Sequence, residues 1–329
     1  MEYDKPYQTY EEQIAHLKND YNLIIADKDF AKYALQTISY YDLINGYKDI
    51  FMIDDKYDGK TTIEFLYYFF LYDKEFQNML FTKIILIENY FKNILANKLS
   101  QDFGVHENDY LNPTNFNYSS SSVNLPYTLQ EIRRAYTKQN PDQPTKYYKE
   151  HHNHIPPWIL LKNTSFSLSI NLFIGLKSQQ KDSIVNTMLP YPKATLPQRI
   201  DLLTSGLNLI RHFRNTTAHN LKFVTYKGEN QDILSRSVLK KILPKTVITK
   251  KMEEEGYIPN DLFSAILFIY LLLGPRLQMQ FCAELTTVGK SINGNINEIS
   301  KRYQEITGLP ENFDSKLNIL FDAAANIEI

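Results

Sequence analysis

The sequence predicts an all-α fold: a helical bundle with an N-terminal helical extension and polar insertions. Three observations carry this. Apolar residues recur every three or four positions, most clearly at Phe76, Leu80, Ile84, Ile87, Phe91 and Leu95, which share one helical face. A capping signal stands where the first such stretch begins, at Thr9 with Glu12 three residues on. Breaker residues stand where stretches end, at Gly46 and at Gly274-Pro275.

The first helix follows Thr9 and carries Ile14 and Leu17 at helical spacing. A second covers 29–45, a third 62–72, and a longer one 73–99. From 101 to 157 the chain changes character. Asn112-Pro113, the serines from Ser119 to Ser122, Pro126, Pro141 and Pro144 punctuate it, around a short helix at 129–138. With few apolar residues, this stretch reads as an excursion and not as an independent domain. Helices resume over 157–176. Another spans 197 to about 219, with the apolar stripe Ile200, Leu203, Leu207, Ile210 and Phe213. Gly206 on that helix admits close approach by a neighbour. Residues 222–256 are mixed and polar, with room for short strands. The last helices cover 260–273, 276–285 and 292–306. The organisation that results is an N-terminal extension at 1–60, a helical domain at 61–310 with insertions at about 101–157 and 222–257, and a C-terminal tail at 311–329.

Composition excludes several classes. At about 150 residues per domain, 329 residues allow two domains or one with large insertions. The hydrophobic fraction of 43% is enough to bury a core, and 22% charged residues is not the profile of a disordered chain. The formal net charge of -1 gives no global basic field, so contact with RNA must come from local patches. Cys282 is the one cysteine, which excludes an intramolecular disulfide and any multi-cysteine zinc site. It fits a reducing, cytoplasmic setting. The opening Met1-Glu2-Tyr3-Asp4-Lys5 lacks the pattern of an export signal. The longest apolar run, 262–273, holds about 12 residues against the roughly 20 that a membrane span needs, and reads as a core helix with no membrane association. The 24 tyrosines are spread along the whole chain and mark no single patch.

Residues 210–220 concentrate chemistry: Ile210-Arg211-His212-Phe213-Arg214-Asn215-Thr216-Thr217-Ala218-His219-Asn220. Asn215 and His219 are four apart and share a helical face, which Arg211 extends. Arg214 is five residues from His219, about 140° away on an ideal helix. Its long side chain, or a loosened last turn at Thr216 and Thr217, must close that gap. These residue types suit RNA cleavage. The ribose 2′-hydroxyl is an internal nucleophile that needs a base, and the departing 5′-oxygen needs an acid. Histidine serves either role near neutrality. Arginine grips phosphate oxygens through a planar fork, and asparagine can orient the histidine or the phosphate. No metal or other cofactor is required. The same residues also suit plain RNA binding, or simple favourable charge at a helix end.

The wider sequence carries a resemblance. The stretches Lys5-Pro6-Tyr7-Gln8-Thr9-Tyr10-Glu11-Glu12-Gln13 and Ile38-Ser39-Tyr40-Tyr41-Asp42-Leu43-Ile44-Asn45-Gly46-Tyr47, the helical segment Ile87-Glu88-Asn89-Tyr90-Phe91-Lys92, Trp158 with Thr164-Ser165-Phe166-Ser167-Leu168-Ser169, and Arg214-Asn215-Thr216-Thr217-Ala218-His219 appear in an order that resembles the Abi-like family of abortive-infection proteins, which includes AbiD and AbiF. The likeness runs from about residue 5 to 220. Thr164 stands where the family usually has leucine and Ser167 where it has glycine, and Asn220 replaces the second histidine of a common C-A-H-H. The resemblance implies a HEPN fold and metal-independent endoribonuclease activity, with Arg214, Asn215 and His219 as catalytic residues. It further implies a toxin role in antiphage defence, a composite site across a homodimer, and restraint by a structured small RNA antitoxin.

Other features complete the expectation. Arg211, Lys222, Lys240, Lys241 and Lys245 are the candidate RNA-binding cations; Lys240, Lys241 and Lys245 are balanced by Glu253, Glu254 and Glu255. The histidines at 151, 152 and 154 lie in a polar loop beside Glu150 alone and read as no metal site. Glu88 and Lys92 are an i, i+4 pair, read as a surface pair or as a carboxylate that orients Arg214. His212 has core-facing neighbours in Ile210 and Phe213, so each chain offers one motif histidine, and the second proton-transfer group is expected from a second copy. The alternative functions are a non-catalytic RNA-binding or phage-sensing module, separable by turnover of labelled RNA, and a HEPN protein controlled by a modifying partner enzyme such as a nucleotidyltransferase.

Overall fold

In a computed structural model of the chain, residues 5–118, 123–222, 224–288 and 296–328 are described. The protein is all-α, and the only strand pair among these residues is a two-residue hairpin. The chain divides into two compact units. The first comprises Met1–Met79, Thr216–Thr225 and Glu284–Glu311, and the second Leu80–Asn215, Tyr226–Ala283 and Asn312–Ile329. Both are discontinuous in sequence.

The first unit opens with α1 (Tyr10–Asn19), which starts with the capping box that the sequence suggests. The Glu12 backbone donates to Thr9 Oγ1 at 3.3 Å, and the Thr9 backbone donates to Glu12 Oε2 at 2.7 Å. Helix α2 (Lys28–Thr37) is shorter than expected. It stops at Ile38, and residues Tyr41–Asn45 form a separate π-helical turn before α3 (Lys48–Phe51). The hairpin follows, with β1 (Met52–Ile53) antiparallel to β2 (Lys56–Tyr57). Helix α4 (Ile63–Phe103) then runs unbroken, so the two helices read at 62–72 and 73–99 are one. Nothing in the sequence between Tyr72 and Lys74 breaks a helix, and Asp73 is absorbed because three side chains satisfy it. Tyr47 Oη donates to it at 2.7 Å, Gln77 Nε2 at 2.7 Å and Tyr303 Oη at 3.1 Å. Burial pushes the Asp73 carboxyl up to about 6 against the pull of those donors.

In the second unit, the later part of α4 buries Leu80, Ile84, Ile87, Phe91 and Leu95 of the predicted face, and Leu99 one turn on. The punctuated stretch holds more structure than its composition suggests: α5 (Glu107–Tyr110), α6 (Leu125–Thr137) and α7 (Thr145–His151). Its few apolar residues are spent efficiently, with Tyr110, Leu111, Phe116, Leu125, Leu129 and Ile132 all buried. Ser119 to Ser122 lie outside the described residues. The stretch read as one helix at 157–176 is broken into α8 (Pro157–Leu160), a 3-10 turn and α9 (Phe166–Gly175), whose N-cap is Ser165. Helix α6 packs on α9, and a Cβ at Gly175 would collide with Leu125 at 2.6 Å.

Helix α10 (Ser178–Met188) precedes α11 (Leu196–Ala218). The polar stretch beyond α11 forms no strand among its described residues; it holds a 3-10 turn, α12 (Arg236–Ile242) and α13 (Lys250–Glu254). The apolar run becomes α14 (Leu262–Leu272), every residue of which is buried. Among the described residues no helix is long and apolar enough to cross a membrane. Helix α15 (Pro275–Thr287) takes in Pro275, one residue before the expected start at 276, and α16 (Ile296–Thr307) in the first unit is the described part of the helix expected at 292–306; 292–295 lie outside the described residues. The segment expected as a tail contains α17 (Phe313–Glu328). That helix buries Leu317, Leu320 and Ala324. It is tied down by Tyr270 Oη donating to the Leu320 carbonyl at 2.8 Å and by the buried Lys316 donating to the Val247 carbonyl at 2.7 Å.

Candidate active site

Helix α11 carries the motif. At its start, Gln198 Oε1 accepts from the Thr195 backbone at 3.1 Å, satisfying one of the free amides of the first turn. Leu203, Leu207, Ile210 and Phe213 form its buried stripe as the spacing predicts, whereas Ile200 is only half-buried. Gly206 does what its lack of a Cβ allows, because an added Cβ there would overlap the Phe268 ring of α14. With that side anchored, Arg211, His212, Arg214 and Asn215 emerge half-buried.

The helix stays regular through Ala218, so the expected loosening at Thr216 and Thr217 does not occur. It is stopped by Asn220, whose φ of 56° is the left-handed conformation that asparagine tolerates well. The amides of Asn220 and Leu221 donate back to the carbonyls of Thr217 at 3.0 Å and Thr216 at 2.9 Å. Lys74 Nζ donates to the Asn220 carbonyl at 3.2 Å and the Leu221 carbonyl at 3.4 Å. The residue that replaces the family's second histidine therefore makes the turn. His219 lies in that turn, exposed, and falls in the first unit, while Arg214 and Asn215 fall in the second. Sequence continuity alone associates His219 with Arg214.

Arg214 sits in a network that the sequence only hinted at. Its Nε lies 3.6 Å from Glu88 Oε2, an ion pair too long for a hydrogen bond. Neither of those two buried atoms has a hydrogen-bond partner. The other Glu88 oxygen accepts from Lys92 Nζ at 2.7 Å, and Lys92 also donates to the Thr164 carbonyl at 2.8 Å. Thr164 is fixed in turn, its Oγ1 donating to the Leu161 carbonyl at 2.9 Å and lying 3.0 Å from Ser169 Oγ. Glu88 and Lys92 are thus a buried pair and not a surface one, with the carboxylate between two cations. The far side of Arg214 is open: Nη1 donates to Asn215 Oδ1 at 3.3 Å, and the side chain is 33% exposed. A guanidinium with a buried carboxylate facing Nε and its outer edge toward solvent can take an anion there.

A second cluster shares the helix. His212 is not a core residue; its side chain is 29% exposed, with Nε2 3.6 Å from Oδ2 of Asp232, which is wholly buried. Arg211 Nη2 lies 3.0 Å from His212 Nε2. Since arginine can only donate, Nε2 accepts and the imidazole is neutral. Burial, then the Arg211 charge, hold the His212 pKa below its ordinary value, while Asp232 and Glu229 pull it back up. The Tyr226 ring stacks on His212 with centroids 5.8 Å apart, and meets Phe213 edge-on at 5.0 Å. Burial drives the Tyr226 hydroxyl pKa up, so it stays protonated. The loop that carries Asp232 is pinned at both ends. The Gly228 amide donates to the Asn260 carbonyl at 2.6 Å and that of Leu234 to Pro259 at 2.8 Å. A Cβ at Gly228 would meet Asp232 at 2.7 Å and Leu209 at 3.1 Å. No sequence signal marks Asp232 or Tyr226, since both lie beyond the motif in the stretch read as polar insertion.

The other candidate cations are scattered. Lys222 pairs with Asp49 and lies 5.8 Å above the Tyr47 ring, all within the first unit. In the second unit Lys240 donates to Glu253 at 2.8 Å, Lys241 to Gln198 at 3.2 Å, and Lys245 is exposed. His151 stacks on Tyr147 at 4.4 Å, and His152 packs on Tyr148 at 4.5 Å. Among the described residues no group of three or more His, Cys, Asp or Glu is placed to hold a metal ion.

Residues 33–224, more than half of the chain, match the family of Abi-like proteins. The chain belongs to the Abi-like family. The matched span includes Glu88, Lys92, Thr164 and the whole of 210–220, so the Arg214 network of this Abi-like protein lies inside the part that defines the family. Asp232 lies beyond it. No curated protein and no solved structure matches the chain.

Proposed function

We propose that this Abi-like protein is a metal-independent endoribonuclease of the HEPN type that acts as a growth-arresting toxin in antiphage defence. The observation that supports it most is the holding of Arg214. A buried carboxylate faces its Nε across 3.6 Å, and its outer edge reaches solvent, where a phosphate can bind. In this reading Arg214 binds the scissile phosphate and offsets charge that builds on it as the 2′-oxygen attacks. Asn215 steadies the guanidinium, and His219 protonates the departing 5′-oxygen. The products are a 2′,3′-cyclic phosphate and a 5′-hydroxyl. Arg211, Lys222, Lys240, Lys241 and Lys245 are carried as RNA-binding residues. Pairing of two copies would add a second set of arginines to a chain whose net charge is -1. A structured small RNA fits the same reading as a restraint on the toxin.

The test is turnover of labelled RNA in excess EDTA, with growth measured on expression. Arg214→Ala and His219→Ala should each lower cleavage by about 100-fold or more and relieve toxicity. Both proteins should keep their thermal midpoint, since the side chains are half-buried and exposed respectively. Growth arrest by folded Arg214→Ala/His219→Ala protein would remove the assignment. RNA binding without turnover by the wild-type chain would leave a binding module instead.

A further inference from the structure

Cleavage through the 2′-hydroxyl needs two proton transfers, and the motif supplies one histidine. We propose that His212, backed by Asp232, is the base that takes the 2′-hydroxyl proton. The assignment rests on the ribonuclease reading above. It deepens that reading by naming the base.

Three observations carry it. First, Asp232 has no exposed surface, yet its Oδ1 has no hydrogen-bond partner, while the carboxylate takes the Glu229 amide on Oδ2 at 3.1 Å and a side-chain hydrogen bond from Tyr226. Buried polar atoms are almost always satisfied, so a carboxylate with Oδ1 unpartnered and Oδ2 3.6 Å from the imidazole is placed for a positive charge that comes and goes. Second, the Arg211 bond shows that the lone pair of His212 sits on Nε2, the base form. Third, the cluster joins the phosphate-holding residues. Arg211 touches His212 and lies one turn before Arg214 and Asn215, and Asn215 is also one turn beyond His212.

The step balances as follows. An arriving phosphate draws the Arg211 guanidinium from Nε2. The 2′-hydroxyl proton passes to Nε2, the 2′-oxygen forms its bond to phosphorus, and the bond from phosphorus to the 5′-oxygen breaks. That oxygen keeps the electron pair and takes a proton from a separate acid, His219 in the reading above. His212 becomes an imidazolium beside the Asp232 carboxylate and later returns its proton to water. The charged or titratable groups about His212 are Arg211 on its own helix and Asp232, Glu229 and Tyr226 from the facing loop. Asp232 is a positioning residue that acts through His212.

Two substrates separate base from acid: total cellular RNA, and uridine 3′-(4-nitrophenyl phosphate), whose nitrophenolate departs without a proton. Expected for His212→Gln is a loss of about 100-fold or more on both substrates, with an unchanged melting curve. His219→Ala should lose cellular RNA and keep the nitrophenyl ester. Asp232→Asn should lower the rate on both and move the acid limb of kcat/KM to lower pH. The carboxylate raises the His212 pKa, so its removal lets the base persist further down, a shift that a merely structural residue would not produce. If His212→Gln does not fold, the Asp232→Asn limb decides. Wild-type rates on both substrates in His212→Gln, or an unmoved limb in Asp232→Asn, would overturn the role of His212 and leave the ribonuclease reading intact. A wild-type protein that cleaves neither substrate would overturn both.

Discussion

Asp73 and Asp232 are both carboxylates without exposed surface, one in each unit, and their surroundings treat them in opposite ways. Asp73 receives hydrogen bonds from Tyr47, Tyr303 and Gln77, and both of its oxygens are used. Asp232 keeps an oxygen with no partner and lies beside a histidine, with the Arg211 charge acting on both. Glu88 repeats the second pattern, with one oxygen bonded to Lys92 and the other facing Arg214 beyond hydrogen-bond distance. Asp73 is fully enclosed and serves packing. Asp232 and Glu88 are left partly unmatched next to the motif side chains, as strain kept at a functional site would be.

The largest expected effect tests the enclosed side. Asp73→Leu strands two tyrosine hydroxyls and an amide in the core, and should cost about 4 kcal/mol in urea denaturation. A loss under about 1 kcal/mol would mean that the donors find other partners and that Asp73 is not a structural hub.

Next comes pH. The folded value of Asp73, about 6, lies above that of a free carboxyl, so the folded state binds the extra proton between about pH 4 and pH 6. Stability contributed at this position is therefore greatest below that window and falls as pH rises through it, on the order of 2 kcal/mol. Asp73→Asn, which cannot ionise, should flatten the difference between urea midpoints measured at pH 4.5 and pH 7. Equal pH dependence in the two proteins would show that the carboxyl titrates normally.

The smallest expected effect sharpens the contrast. Asp232→Asn keeps an acceptor for the Glu229 amide and removes a charge that is incompletely matched, so stability should change by less than about 0.5 kcal/mol. Destabilisation as large as that of Asp73→Leu would make the two carboxylates alike and remove the comparison.

How much of this could be read from the chain follows the same division. The stripe of α4, the capping box at Thr9 and the close approach at Gly206 were legible, because spacing and cap chemistry are local. So was the motif, as six consecutive residues. The merging of 63–103 into one helix was not, because whether Asp73 can sit inside a helix depends on Tyr303, 230 residues away. Helix α6 was legible at 129–138, but its first turn was not, because Leu125 is held there by the close approach of Gly175 on α9. At the site, Glu88 was visible as a pair with Lys92, but its contact with Arg214 needs two helices side by side. His212 was misread from its neighbours: Ile210 and Phe213 do face the core, yet the intervening side chain points to a loop carrying Asp232, twenty residues on, which no period connects to it.

The contact between Gly206 and Phe268 sets a bearing as well as a distance. A helix turns by about 100° for each residue, so sliding α11 by one position would bring Ser205 or Leu207 against that ring, where only a bare backbone fits. Phe268 is a key in a one-residue slot, and α14, which holds the key, has no exposed residue to let it shift. The azimuth at which Arg211, His212 and Arg214 leave the helix is therefore indexed at a position two turns away that touches no substrate. Chemistry at the motif could be lost through a single methyl group at Gly206 while every motif side chain stayed in place.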